Sequence, residues 1–181
     1  MRKITFLLTI LTFISLCTVS AKADSYKYTP YIGFDYLYNR TSAEGLSFYN
    51  NALSVRIGSD YSAYFSSELF FNQSDSQTKH QAEQKIKTSY RSYGLDLSAY
   101  LPVYKFSLIA TIGAGEYVYK TRLYPAKHQN EHGFGYRFGG GLKYALDEHW
   151  QIRLISRYVK FNHVHKFNHA MEYTSGLEYH F

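Results

Sequence analysis

The chain has 181 residues, a formal charge of +6, a single cysteine, 20 tyrosines and 13 phenylalanines. One cysteine excludes an internal disulfide framework, and no apolar run after residue 23 approaches the ~20 residues a membrane-spanning helix needs. The positive charge falls to +3 once Arg2, Lys3 and Lys22 are set aside with the N-terminal segment, well short of a nucleic-acid-binding profile.

That segment reads as a secretory signal peptide. Arg2 and Lys3 precede the apolar run Ile4 to Leu16, and Ala21-Lys22-Ala23 supplies a small-x-small cleavage site before Asp24. Cys17 follows the bulky Leu16 where a lipoprotein signal needs a small residue, so lipidation is not expected. The expected organisation is a cleaved signal over 1–23 and one domain over 24–181. The mature domain of about 158 residues lacks cysteine and must be held by its fold alone.

Period-2 alternation of apolar and polar residues, the mark of half-buried strands, then recurs along the chain. Ile32, Phe34, Tyr36 and Tyr38 oppose Gly33, Asp35 and Asn39. Leu53, Val55 and Ile57 oppose Ser54, Arg56 and Gly58, and Ser67, Leu69 and Phe71 oppose Glu68, Phe70 and Asn72. Tyr93, Leu95, Leu97, Ala99 and Leu101 oppose Gly94, Asp96, Ser98 and Tyr100. Leu108, Ala110, Ile112 and Ala114 oppose Thr111, Gly113 and Gly115. Tyr136, Phe138, Leu142 and Tyr144 oppose Arg137, Gly139, Gly141 and Lys143. Ile152, Leu154 and Tyr158 oppose Gln151, Arg153 and Arg157, and Tyr173, Leu177, Tyr179 and Phe181 oppose Thr174, Gly176, Glu178 and His180. The expectation is eight antiparallel strands of about 9–11 residues, the length a tilted barrel strand needs to cross a bilayer.

Connections alternate in length. Short turns are expected near Tyr61–Tyr64, Pro102–Tyr104 and Ala145–His149, and longer polar loops near Thr41–Asn50, Ser74–Thr88, Thr121–Gly133 and Phe161–Asn168. Short turns on the periplasmic side and long loops outside are the pattern of outer-membrane barrels.

Alternation alone does not say which face points outward. The glycines fall on the polar face, where a crowded small-barrel interior needs them and a water-facing strand does not. Asp35, Glu68, Asp96, Glu172 and Glu178 share that face with Arg56, Arg137, Lys143, Arg153 and Arg157, so opposed charges can neutralise one another inside. The chain ends on Phe181, preceded on its face by Tyr179, Leu177 and Tyr173.

This ending resembles the assembly signal of bacterial outer-membrane barrels. Tyr31-Ile32-Gly33-Phe34-Asp35-Tyr36, Gly113-Ala114-Gly115 and Tyr136-Arg137-Phe138-Gly139-Gly140-Gly141-Leu142-Lys143-Tyr144 are similar to stretches of small OmpA-like, OmpX-like and opacity-protein barrels. The resemblance implies an all-β, eight-stranded transmembrane barrel in the outer membrane. It also implies contact with lipid and lipopolysaccharide, and delivery to the barrel-assembly machinery through Tyr173, Leu177, Tyr179 and Phe181. No peptidoglycan-binding domain follows, so anchoring to the wall is not expected.

Candidate chemistry is sparse. Asp35, Arg56, Glu68, Asp96, Arg137, Arg153 and Arg157 form the expected lumen charge network, read as a plug or, alternatively, as a switchable pair in a narrow ion channel. His128, His132, His163, His165 and His169 gather in two outer connections without the partners of a zinc pattern, so no metal or other cofactor is expected. A lipid A deacylase needs a serine, a base and an orienting acid; the deacylase family sets the His and Ser two apart on one strand, and no strand here carries such a His-x-Ser pair. No catalytic residue is assigned: the resemblance implies a non-enzymatic surface barrel with a structural role in the outer membrane, and a lipid A-modifying enzyme is an alternative reading. The remaining candidates are loop cations: Lys79, Lys85, Lys87, Arg122, Lys127 and Lys166. They suit lipopolysaccharide phosphates or acidic host surfaces in adhesion or host-defence resistance, with no nucleic-acid partner.

Overall fold

The computed structural model describes residues 28–43, 46–75, 77–81, 84–124, 127–162 and 168–181, with no account of side chains at 43, 46–48, 77–81, 84–88, 121–124 and 127–130. Residues 1–27, which include the expected signal segment, and residues 163–167, with His163, His165 and Lys166, lie outside the described residues. The described chain is all β: β1 (Thr29–Ala43), β2 (Leu46–Ser62), β3 (Phe65–Ser74), β4 (Gln77–Gln81), β5 (Gln84–Val103), β6 (Phe106–Tyr124), β7 (Lys127–Ala145), β8 (Trp150–Asn162) and β9 (His169–His180). β3 and β4 are two lengths of one wall strand, because both pair with β5. Each strand pairs antiparallel with its chain neighbour, and β9 returns to β1 through Ile32↔Tyr179 and Thr41↔Ala170. The result is a closed eight-stranded barrel without a free edge in its wall.

The pleat decides what each residue meets. Leu53, Ile57, Leu69, Leu97, Ile112, Phe138 and Leu154 stand exposed on the outer wall, while Arg56, Glu68, Asp96, Arg137, Arg153 and Glu172 are buried inside. A soluble barrel would show the reverse. Tyr28, Tyr61, Tyr64, Phe65, Tyr104, Phe106 and Trp150 ring the outer wall at the short-turn end, and Tyr36, Tyr38, Tyr49, Phe71, Tyr93, Tyr136 and Tyr173 ring it towards the other. From Val103 to Tyr93 on β5 the wall runs about ten residues, ~33 Å of strand, or about 25 Å along the axis of a barrel tilted ~40°. That matches an apolar band between two aromatic girdles. No helix among the described residues is long and apolar enough to cross a membrane, which says nothing of crossing by strands.

Strand lengths depart from the expected 9–11 residues: β9 has 12, β5 has 20, and the wall strand made of β3 and β4 has runs of 10 and 5. Three of the expected loops are mostly ladder: Ala43↔Leu46 closes the first hairpin, Gln81↔Gln84 the second, and Leu123↔Lys127 the third. Hairpins standing clear of a bilayer meet water on both faces, so their backbone pairing needs no apolar alternation. The short turns also shift slightly. Pro102 is inside β5, and Val103↔Phe106 leaves Tyr104-Lys105 as a two-residue loop, with Tyr104 at φ 59°. In the turn after β7 the Asp147 carboxylate accepts the backbone N–H groups of His149 (2.8 Å) and Trp150 (2.7 Å), which holds its pKa below the usual carboxylate value.

Candidate functional site: a sealed charged lumen beneath a cationic outer sheet

Inward positions of seven of the eight wall strands, all but β6, bring five carboxylates and five cations together: Asp35, Glu68, Asp96, Glu172 and Glu178 with Arg56, Arg137, Lys143, Arg153 and Arg157, all buried. Arg56 is the hub nearer the short-turn end. Its Nε and Nη2 donate to the two oxygens of Asp35 at 2.6 and 2.8 Å, a bidentate fork. Its Nη1 donates to Glu68 (2.9 Å) and Glu178 (2.8 Å). Arg153 donates to Glu68 at 3.0–3.1 Å and to Asp35 at 3.3 Å. Lys143 Nζ lies 2.9 Å from Glu178, and the Tyr31 hydroxyl donates to Glu68 at 3.0 Å.

A second group sits further from the short turns. Arg137 donates through Nε to Asp96 at 2.5 Å, with Nη2 on the other Asp96 oxygen, and through Nη1 to Glu172 at 3.4 Å. The Phe70 ring lies 3.3 Å from the Arg137 guanidinium carbon. Arg157 links the two groups, its Nη2 3.3 Å from Asp96 and 3.5 Å from Glu68. Glycine makes the room. A Cβ at Gly33 would overlap the Arg56 guanidinium, and one at Gly113 the Asp96 carboxylate. All seven residues expected of the network are therefore brought together, with Lys143, Glu172 and Glu178 as full members.

Above this layer the lumen is closed by apolar side chains that sequence reasoning passed over. Leu37, Ala52, Tyr90, Tyr117, Tyr119, Val159, Phe161 and Ala170 form one buried cluster. Tyr117 and Tyr119 meet Phe161 edge-on at 5.1 and 5.8 Å, and Tyr90 stacks on Tyr119 at 5.7 Å. Their signal was parity: Leu37 shares a face with Asp35, and Val159 and Phe161 with Arg157. An aromatic cap over a neutral ion network leaves a filled interior, as expected of eight strands.

The loop cations stand mostly in strands, not loops. Lys87 pairs with both Thr78 and Arg122, and Arg122 also with His128. Lys85 pairs with both His80 and Tyr124, and Lys120 with both Ser89 and Asn130. Partners across a ladder share a face. Lys85, Lys87, Lys120 and Arg122 therefore lie on the outward face of a projecting sheet, whereas Lys79 and Lys127 lie on the rung Lys79–Ile86–Leu123–Lys127 of the other face. His132 is 3.6 Å from Glu116, and the His169 ring stacks on Tyr158. Among the described residues no group of three His, Cys, Asp or Glu is placed to hold a metal ion.

A search of curated protein sequences returns no significant match. Solved structures do match in fold. Neisserial surface protein A superposes with a TM-score of 0.73 at 12% identity, covering 86% of this chain and 99% of that one. Ail, the attachment invasion locus protein of Yersinia pestis, gives 0.64 at 15% over 86% and 99%, and the N-terminal barrel of Pseudomonas aeruginosa OprF gives 0.60 at 11% over 86% and 100%. At these identities the likeness is one of fold. A family model described as the outer membrane protein beta-barrel domain matches residues 9–181. With its lipid-ready wall and inward charges, the chain belongs to this outer-membrane β-barrel family and is an integral protein of the outer membrane.

Proposed function

We propose that the protein is a non-enzymatic surface barrel that attaches the cell to sulfated or otherwise acidic host surfaces. Residues 1–23 direct export and are removed near Ala23. The last strand then serves assembly: Tyr173, Leu177 and Phe181 face outward and exposed, Tyr179 shares their face, and the Phe181 N–H donates to the Pro30 carbonyl (3.0 Å), beside the β1–β9 seam. In the outer membrane the short turns lie in the periplasm and the long hairpins outside.

One observation carries the adhesive role: Lys87 and Arg122 are cross-strand partners, flanked on the same outward face by Lys85 and Lys120. Adjacent strands ~4.8 Å apart concentrate cations at a spacing suited to a polyanion. Support of a different kind comes from Ail, a barrel of the same fold solved in complex with the heparin analogue sucrose octasulfate. Among the described residues the lumen is filled by paired charges and capped by aromatics, which supports a non-conducting, non-enzymatic reading.

The test is adherence of a non-adherent bacterium displaying the chain, on surfaces coated with sulfated or neutral polysaccharide. Binding should be confined to the sulfated surface. It should fall as salt shortens the Debye length from ~10 Å at 0.1 M to ~3 Å at 1 M. Lys87→Gln with Arg122→Gln should weaken it at equal display. Salt-insensitive binding, or none despite verified display, would refute the proposal.

A further inference from the structure

The outward wall of β8, β9, β1 and β2 differs from the rest of the barrel where it leaves the membrane. Successive rungs read Ser156–Tyr173–Tyr38–Asn51, then Tyr158–Met171–Arg40–Tyr49, then Lys160–His169–Ser42–Ser47. Tyr38 stacks on Tyr49 at 6.0 Å and lies 6.2 Å from Tyr173, giving an aromatic platform at the outer girdle. Arg40 and Lys160 are exposed immediately above it, with the Arg40 guanidinium 5.8 Å from the Tyr49 ring. Among the described residues, no outward position of these four strands carries Asp or Glu above the girdle.

The opposite wall is different. There Arg91 Nε donates to Gln73 Oε1 at 2.7 Å, and Glu116 faces outward, accepting the Tyr93 hydroxyl at 2.5 Å. Among the described residues the cations on β1 and β8 thus face no outward carboxylate on their wall, at the level where the head groups of the outer leaflet begin. Two strand spacings and one pleat repeat set their Cα atoms ~12 Å apart. A head group bearing phosphates at the two ends of a disaccharide can meet both.

We propose that this patch is a seat for the diphosphorylated disaccharide of lipid A, with Arg40 holding one phosphate and Lys160 the other. The sugars lie over Tyr158 and Met171, and the acyl chains run down the apolar wall past Tyr38, Tyr173 and Leu177. Arginine's fork suits the phosphate nearer the girdle, and lysine's flexible stem reaches the outer one. The seat is independent of the cationic sheet on β5 and β6 and of any adhesive role.

The test is native mass spectrometry of the full protein from mixed micelles holding equal amounts of diphosphorylated lipid A, its dephosphorylated form and phosphatidylglycerol. One diphosphorylated lipid A should be retained per barrel, in preference to both other lipids. Arg40→Gln with Lys160→Gln should lower retention about tenfold or more, the cost of one or two charge-assisted bonds. Arg91→Gln on the opposite wall should leave it unchanged. Heat-modified gel mobility checks that each variant is a closed barrel, and the lipid comparison on the unaltered protein stands even if a variant fails to fold. Equal retention of the dephosphorylated form or of phosphatidylglycerol, or undiminished retention by a folded double variant, would overturn the proposal.

Discussion

Replacing Arg56 with methionine tests the lumen network most directly. The side chain keeps most of its apolar length but loses four hydrogen bonds to three carboxylates. The partners fare unequally. Glu68 retains Arg153 and Tyr31, Glu178 retains Lys143, but Asp35 is left with only the 3.3 Å contact to Arg153. The variant therefore buries an under-paired carboxylate in a lumen that no longer balances five cations against five anions. Breaking a buried pair by removing one partner costs about 3–5 kcal/mol, against near-neutrality when both partners go. Arg56→Met should accordingly lose about that amount, and Arg56→Met with Asp35→Asn should recover most of it, a strong coupling in a double-mutant cycle. Urea unfolding in lipid vesicles, followed through the single tryptophan, Trp150, measures both. A loss below about 1 kcal/mol for Arg56→Met, or simple additivity in the cycle, would show that the network contributes little to holding the barrel.

Other consequences concern the turns and the cap. Tyr104 has a left-handed φ of 59° and is almost wholly exposed, so Tyr104→Gly should stabilise the barrel by about 1 kcal/mol in the same unfolding assay. The Asp147 carboxyl has its pKa depressed by two backbone donors, so its contribution is present above the ordinary carboxylate pKa and lost as pH falls through the depressed one. Amide exchange at His149 and Trp150 should rise in that acid window, and Asp147→Asn, which keeps an acceptor oxygen, should remove the pH step. Purified protein in planar bilayers should give no stepwise currents; reproducible steps from the folded barrel would contradict a lumen filled by ion pairs and aromatics. Gly113→Val places a branched side chain against the Asp96 carboxylate and the Leu95 carbonyl, and should reduce the yield of folded, heat-modifiable barrel.

Much of this protein is legible along the chain because a membrane barrel offers each strand residue only two environments. With a side-chain period of two, Leu53, Val55 and Ile57 had to face one way and Ser54, Arg56 and Gly58 the other, and glycines on the charged face identified it as the crowded interior. The short turns follow from the same local pattern. Where the chain leaves the bilayer the pattern fails. Residues 77–88 and 121–133 read as loops because their polarity does not alternate, so nothing in their hydrophobicity reports the pairing that aligns Lys87 with Arg122.

Contacts across the lumen were beyond the sequence altogether. Arg56 meets Asp35, Glu68 and Glu178 because strand stagger and closure bring four wall strands to one level, and alternation carries no information about level. The aromatic cap was hidden for a related reason: Leu37, Tyr117, Val159 and Phe161 break the expected polarity of the inner face, and only their convergence shows that they shield one another. The wall that sets Arg40 beside Lys160 exists only because β9, the last strand, pairs with β1, the first. Each residue's side of the wall is a local property, written every second position; its height and its neighbours belong to the closed barrel.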